Sequence, residues 1–258
     1  MNKYKITLEY DGTNYSGWQA QKNARSIQST LIAAAQLFLE TQLEIQGAGR
    51  TDAGVHALGQ VAHLECARKL NSETLRMGLN DLLPASINIL SVENVHARFH
   101  ARHSAMSRSY LYLIAKRRTA FGKKYVWWIK DHLHVGKMKQ ALDVFQGFHD
   151  FASFADKRMD KEASTKVNIE SVKLVETGGV VAIRIVGSHF LWKMVRRIVG
   201  ITVEAGRGRF SLPEVKSMLE AYSEIPAHYT APPSGLFLEK VLYEGDQLPE
   251  IQTPVYLL

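Results

Sequence analysis

The residue type best placed for chemistry is Asp52, within the stretch GAGRTDAGVHALGQVAHLE at 47–65. An aspartate is ionised at neutral pH and needs no general base to act as a nucleophile. Gly47, Gly49 and Gly54 bracket it. Glycine has no Cβ, so this run permits tight turns and the close approach of a large ligand. Arg50 stands just before the carboxylate. A cation there favours the ionised form and can grip a phosphate. The same spacing fits a plainer reading, in which Asp52 caps a short helix begun by Ala53-Gly54-Val55 and Arg50 is a solvated neighbour. Two nucleotide-binding motifs are excluded. A dinucleotide fingerprint needs glycine where Asp52 stands, and a P-loop needs Gly-Lys-Ser/Thr after its spacer.

Other reactive types are sparse. His96, His100 and His103 fall in a basic stretch without accompanying carboxylate or cysteine, and their spacing matches no metal motif. A basic surface is expected there, and no metal. The single cysteine, Cys66, cannot form an internal disulfide. It is expected as a small buried side chain in a chain suited to a reducing cytosol. The formal net charge is +7. Its cations cluster at Arg98, Arg102 and Arg108, at 116–118, at 123–124, and at Lys193, Arg196, Arg197, Arg207 and Arg209. Phe99, Tyr110, Tyr112, Phe121, Phe190, Trp192 and Phe210 interleave with them. Basic plus aromatic is the composition of an RNA surface, although core aromatics beside a solvated basic rim give the same pattern. No apolar run reaches the roughly 18 residues of a membrane span. The N-terminus lacks a signal peptide's apolar core, so a cytoplasmic protein with no membrane partner is expected.

The chain has 258 residues, 46% of them hydrophobic and 22% charged, enough for one large domain or two modest ones. Alternation over Tyr4–Tyr10 predicts a strand. Ser26 is a plausible N-cap for a helix to Glu40, with Ile27, Leu31, Ala34, Ala35 and Phe38 as its apolar stripe. Strands are predicted from Leu43 and over Val61–Leu64, which places Asp52 on a loop between them. A helix capped by Ser72 would face the core with Leu75, Leu79, Leu82 and Leu83. A strand over Ile87–Val95 follows. The segment RFHARHS at 98–104 reads as a basic connector, giving an N-terminal subdomain 1–103 and a C-terminal subdomain 104–258. Further strands are predicted over 107–114, 167–176 and 180–187. The last two join through a Gly178-Gly179 hairpin. Helices are predicted over Val135–Gln146 and Phe190–Ala205, and a capping box at Ser211–Glu214 begins another.

GRTDAGVHALGQVAH resembles the signature of the TruA family of tRNA pseudouridine synthases. YDGTNYSGWQAQ, ARHSAMSRSYLYLI, HDFASF, SHFLWKMVRRIVG and TAPPSGLFLEKVLY resemble further segments of that family, in the family's order and over nearly the whole chain. The resemblance implies an α+β fold of two pseudo-symmetric ferredoxin-like (RNA-recognition-like) subdomains, with a mostly antiparallel sheet around a central RNA-binding cleft. It implies that Asp52 is the nucleophilic aspartate and that Arg50 helps displace the target base. It places the active-site tyrosine on Tyr110, the active-site arginine on Arg196, and a wall of the base pocket on Leu236. Periodicity alone favours reading Tyr110 as an ordinary half-buried strand tyrosine, and Arg196 as a surface helix cation is the plain alternative. Lys166 departs from the arginine that the family commonly carries there.

The implied reaction is the isomerisation of uridine to pseudouridine in the anticodon stem-loop of tRNA, at positions 38 to 40, by a homodimer. It involves no redox, phosphoryl or hydrolytic step, so no cofactor is implied. Two other classes fit parts of the pattern. One is a catalytically silent RNA-binding or RNA-folding protein on the same scaffold. The other is a glycosidase-like hydrolase, which needs a second carboxylate.

Overall fold

Tyr4, Ile6, Leu8 and Tyr10 alternate with less buried neighbours along strand β1 (Asn2–Tyr10), and their side chains enter the core. The structure, a computed structural model, describes residues 1–160 and 162–252. Lys161, within the charged stretch DKRMDKEASTK at 156–166, lies outside the described residues. The fold is mixed α/β, with ten strands paired mostly antiparallel and six α-helices among the described residues. It divides into two units, one of Met1–Met106 with Phe237–Leu248, the other of Ser107–Leu236 with the described residues from Pro249 on.

In the first unit, β1 is followed by helix α1 (Ile27–Leu39), strands β2 (Leu43–Gly47) and β3 (His56–Cys66), helix α2 (Ser72–Leu82) and strand β4 (Ile87–Asn94). The sheet order is β4-β1-β3, with β2 on the other side of β3, all antiparallel. Ile27, Leu31, Ala34, Ala35 and Leu39 bury the inner face of α1. The predicted Phe38 lies off that stripe, half-buried, with its ring against Gly78 of α2. The N-cap of α2 is Asn71, where Ser72 was expected. Asn71 keeps an extended backbone and its Oδ1 accepts the Glu73 N–H at 2.8 Å, so Ser72 is already helical. Leu75 and Leu79 are fully buried, whereas Leu82 turns outward.

The second unit contains strands β5 (Ser107–Ala115) and β6 (Trp127–Trp128), helix α3 (Val135–Asp143) and strands β7 (Gly147–Asp150), β8 (Lys166–Thr177) and β9 (Val180–Gly187). Helices α4 (Met194–Gly206), α5 (Leu212–Glu220) and α6 (Ile225–His228) follow. The antiparallel order is β5-β9-β8-β7, and the short β6 lies parallel on β5. The predicted glycine hairpin joins β8 to β9, both glycines having positive φ. Helix α4 begins four residues later than predicted. Lys193 sits in the left-handed region at φ 65°, which breaks the helical path before Met194. The chain then returns to the first unit. Strand β10 (Leu236–Leu242) pairs parallel with β3 through Phe237 opposite His56 and Leu238 opposite Ala57.

Strand β3 is therefore shared lengthwise. Its second half, from Ala62 to Cys66, pairs with β2, and its first residues pair with β10. The loop carrying Asp52 leaves β2 at Gly47 and re-enters the sheet at His56.

Local capping makes a measurable contribution to this frame. The buried Ser26 hydroxyl accepts the Ser29 N–H at 3.1 Å, and the Ser29 side chain closes the reciprocal bond. Ser26→Ala is expected to lower stability by about 1 kcal/mol. The urea midpoint measures it, and an unchanged midpoint contradicts the assigned cap.

Candidate active site

The Asp52 loop is tied down on every side within the first unit. The Ala48 N–H donates to the Val61 carbonyl at 2.7 Å, and Gln60 Nε2 donates to the Gly49 carbonyl at 2.9 Å. The Trp18 N–H donates to the Thr51 carbonyl at 3.0 Å, and the Gly54 N–H to the Tyr15 carbonyl at 3.3 Å. The hydroxyls of Tyr10 and Thr51 are 2.8 Å apart and buried. The Gly12 N–H donates to Nδ1 of His56, whose buried ring stacks on Phe237 with centroids 4.8 Å apart.

Asp52 heads a β-turn, in which the Val55 N–H donates to its carbonyl at 3.1 Å and Gly54 supplies φ 76°. No helix begins there, so the short-helix reading of Asp52 is corrected: Gly54 turns the chain straight into β3. Asp52 is half-buried and Arg50 is exposed.

The segment at 11–18 earns its glycines through backbone contact. A Cβ on Gly17 would lie 2.4 Å from the Thr51 carbonyl oxygen, and Gly17 has φ 91°. A Cβ on Gly12 would lie 1.9 Å from the Val55 carbonyl oxygen. This segment is the clamp of the Asp52 loop. Sequence reasoning did not single out Tyr10, Trp18, Thr51, His56 or Gln60, because each acts through a partner distant in the chain.

The second unit holds Tyr110, Arg196 and Leu236. Tyr110 lies on β5, buried to 9% exposure, with its ring edge-on to Phe190 at 5.0 Å. Two residues along the same face, Tyr112 is fully buried and donates its hydroxyl to the Pro232 carbonyl at 2.8 Å. Burial pushes the Tyr112 hydroxyl well above its ordinary pKa, and the nearby Arg196 charge opposes this. Arg196 occupies the first turn of α4. Its Nε donates to the Ala231 carbonyl at 2.7 Å, while the Ala231 N–H donates to the Arg196 carbonyl at 3.0 Å. One helical turn on, a Cβ on Gly200 would lie 1.5 Å from the Tyr229 carbonyl oxygen. The chain at 229–231 thus lies directly on α4. Leu236 is buried at the start of β10.

The head of α4 is fixed by a charged cluster that the sequence did not reveal. The buried Asp156 accepts from Arg158 Nε at 3.0 Å and Nη2 at 3.1 Å, and pairs with Lys193 Nζ at 2.7 Å. Its N–H donates to the Trp192 carbonyl at 3.0 Å, and the Arg158 guanidinium lies 4.1 Å over the Trp192 ring. The Arg158 hydrogen bonds, helped by Lys193 and opposed by burial, hold the Asp156 carboxyl far below the usual range. Arg197, next to Arg196, is buried and donates to the carbonyls of Ser153 and Ala155.

The remaining reactive types make turn contacts, and His100 Nε2 also meets Gln46 Oε1 at 3.0 Å. His100 Nδ1 accepts the N–H groups of Arg102 and His103 at 3.2 and 3.3 Å, and His96 Nδ1 accepts the Arg98 N–H at 3.2 Å. These are turn contacts. Among the described residues no group of three or more His, Cys, Asp or Glu is placed to hold a metal ion. Cys66 is buried and its thiol donates to the Arg68 carbonyl; burial pushes its pKa up. No helix among the described residues is long and apolar enough to cross a membrane.

A family profile described as tRNA pseudouridine synthase matches residues 6–104 and 141–244. The chain is 41% identical over 245 residues to tRNA pseudouridine synthase A of Ehrlichia chaffeensis, with 93% of this chain and 100% of that protein covered. It is 37% identical over 254 residues to tRNA pseudouridine synthase A of Thermodesulfovibrio yellowstonii, with 94% and 100% covered. It is 38% identical over 245 residues to tRNA pseudouridine synthase A of Clostridium kluyveri, again with 94% and 100% covered.

Gly17→Ala should cost about 2–5 kcal/mol, the sum of a strained φ and an overpacked contact. Its urea midpoint, with hydrogen exchange over 48–55, reads the effect; wild-type values would show that the loop does not rest on this segment. Asp156 contributes stability that is present above about pH 4 and is lost as pH falls below that value, because its folded-state pKa is depressed. Asp156→Asn should lower stability at neutral pH and flatten part of the fall between about pH 4 and 2. Urea midpoints over a pH series that run parallel to wild type would contradict this.

Proposed function

The chain belongs to the tRNA pseudouridine synthase family, and on that premise we propose that Asp52 is the nucleophile with which it converts a tRNA uridine into pseudouridine. The observation that carries this reading is a half-buried aspartate on a loop clamped by backbone contacts, beside an exposed arginine and the open space over Gly49. A rigidly held carboxylate with room for a nucleotide is what nucleophilic attack requires.

Each side chain has a distinct task in this scheme. Asp52 attacks the uracil ring or the sugar's anomeric carbon. The N-glycosidic bond breaks, the base turns in its pocket, and a carbon–carbon bond to C5 replaces it. Arg50 helps draw the base out of its stack, since a stacked uridine is out of reach. Tyr110 stacks on the extruded base, Leu236 walls its pocket, and Arg196 is assigned as the active-site arginine. The target lies in the anticodon stem-loop, at positions 38 to 40. No redox or group-transfer reagent enters, so no cofactor is assigned. The enzyme works as a homodimer in the cytosol. The two halves are ferredoxin-like repeats. The order strand, helix, strand, strand, helix, strand of the first unit and its antiparallel β4-β1-β3-β2 arrangement support that description.

The bond change supplies the test. C5 carries hydrogen in uridine and the sugar in pseudouridine, so that hydrogen leaves as a proton. RNA labelled with tritium at uracil C5 should release one tritium to water per event, with strand length unchanged. Asp52→Asn should bind tRNA yet release tritium slower by on the order of 10⁴-fold or more. Release independent of Asp52, or free uracil as the main product, would overturn the assignment.

A further inference from the structure

Between β5 and α3 the chain carries Lys116, Arg117, Arg118, Lys123, Lys124 and Lys130, and no carboxylate over 116–130. Arg117, Arg118, Lys123 and Lys124 are exposed. Two aromatic side chains share this surface: Phe121 is 82% exposed and Trp128 is 39% exposed. A single exposed hydrophobe is ordinary, but Phe121 is also held in place. Its N–H donates to the Thr119 hydroxyl at 3.1 Å, and that hydroxyl meets its carbonyl at 3.0 Å. Gly122, at φ 69°, turns the chain into a single 3-10 turn at Lys123–Tyr125. Trp128 is fixed on β6, paired in register with Ala115 of β5, and Arg118 lies 5.8 Å over its ring. The structure thus holds the backbone of Phe121 and the strand position of Trp128, and sets two exposed aromatic side chains among cations.

We propose that this strap, from Arg117 to Trp128, is an auxiliary RNA-binding surface that takes an unpaired segment of the substrate tRNA apart from the target uridine. This inference rests on the tRNA reading above. The chemistry selects the occupant. Lys116 pairs with Glu176, but the exposed Arg117, Arg118, Lys123 and Lys124 lie in a stretch with no carboxylate of its own, which matches a phosphate backbone. Aromatic faces stack on bases only where those bases are splayed from a helix, so the segment is unpaired. A second copy of the chain fits less well, because a two-fold contact would press these cations against their own counterparts.

The test is equilibrium binding of an unmodified tRNA transcript to the full chain across a range of salt, with turnover measured alongside. Phe121→Ala should weaken binding roughly 5- to 150-fold, the effect of losing one base–aromatic stack. Phe121→Trp should keep wild-type affinity. The combined change Arg117→Ala, Arg118→Ala, Lys123→Ala and Lys124→Ala should reduce the slope of log affinity against log salt by about 3. All these side chains are exposed, so thermal unfolding should match wild type. If wild type converts tRNA and these variants bind it equally well with an equal slope, this proposal falls alone. If wild type neither binds nor converts tRNA, both readings fall. If the variants keep tRNA affinity but change the sedimentation of the free protein, the surface belongs to a second copy and the RNA assignment is overturned.

Discussion

The Thr51 carbonyl takes the Trp18 amide at 3.0 Å and would lie 2.4 Å from any Cβ on Gly17. On this backbone contact the first unit's candidate chemistry depends. A side-chain contact has rotamers and can relax, whereas two backbones in contact have no such freedom. The Asp52 loop has no regular hydrogen-bond ladder of its own between β2 and β3, so its position comes from neighbours. The segment at 12–18 supplies them, and that segment is in turn fixed by α1: the Ile27 amide donates to the Gly17 carbonyl and the Gln28 amide to the Trp18 carbonyl. The start of α1, the clamp and the loop are therefore one mechanical unit. A carboxylate that must attack a single atom gains more from such stiffness than from any adjustment of its acidity.

The second unit solves the same problem in a different way. Arg196 sits where α4 begins, and a helix end is the least constrained part of a helix. Two contacts compensate. Asp156 binds Lys193 and the Trp192 carbonyl ahead of the helix, and residues 229–231 lie on its first turns at the closest approach that Gly200 permits. The reciprocal bonds between Arg196 and Ala231 leave that arginine's backbone and Nε both engaged.

The elements that were legible in the sequence are those whose signal is local. Alternation locates β1 and β5, the Gly178-Gly179 hairpin signal locates β8 and β9, and the Ser26 and Ser211 caps locate two helix starts, because each signal is complete within a few residues. What failed depended on distant partners or on a single torsion. Nothing in the segment at 236–242 says that it pairs with β3. Lys193 adopts a positive φ that no residue type there advertises, so α4 was placed too early. The glycines near Asp52 form one group in the sequence, yet the structure divides them. Gly54 makes the turn, Gly47 lies under the Trp18 ring, and Gly49 faces open space. The candidate site residues were named from resemblance to a family, since neither spacing nor periodicity distinguishes a reactive aspartate from a turn aspartate.

The two tyrosines of β5 show how burial separates roles that sequence leaves equal. Tyr110 and Tyr112 share a face of one strand, and Tyr112 lies against Pro232 and Gly235. Tyr112 is excluded on physical grounds. Its hydroxyl is spent on the Pro232 carbonyl, its ring is enclosed to 1% exposure with Trp127 edge-on at 6.3 Å, and its raised pKa keeps it protonated. Moving it to meet a base would strand a buried carbonyl and open a cavity. Tyr110 retains 9% exposure and meets Phe190 edge-on at 5.0 Å. Of the two, Tyr112 is the one whose displacement the fold resists.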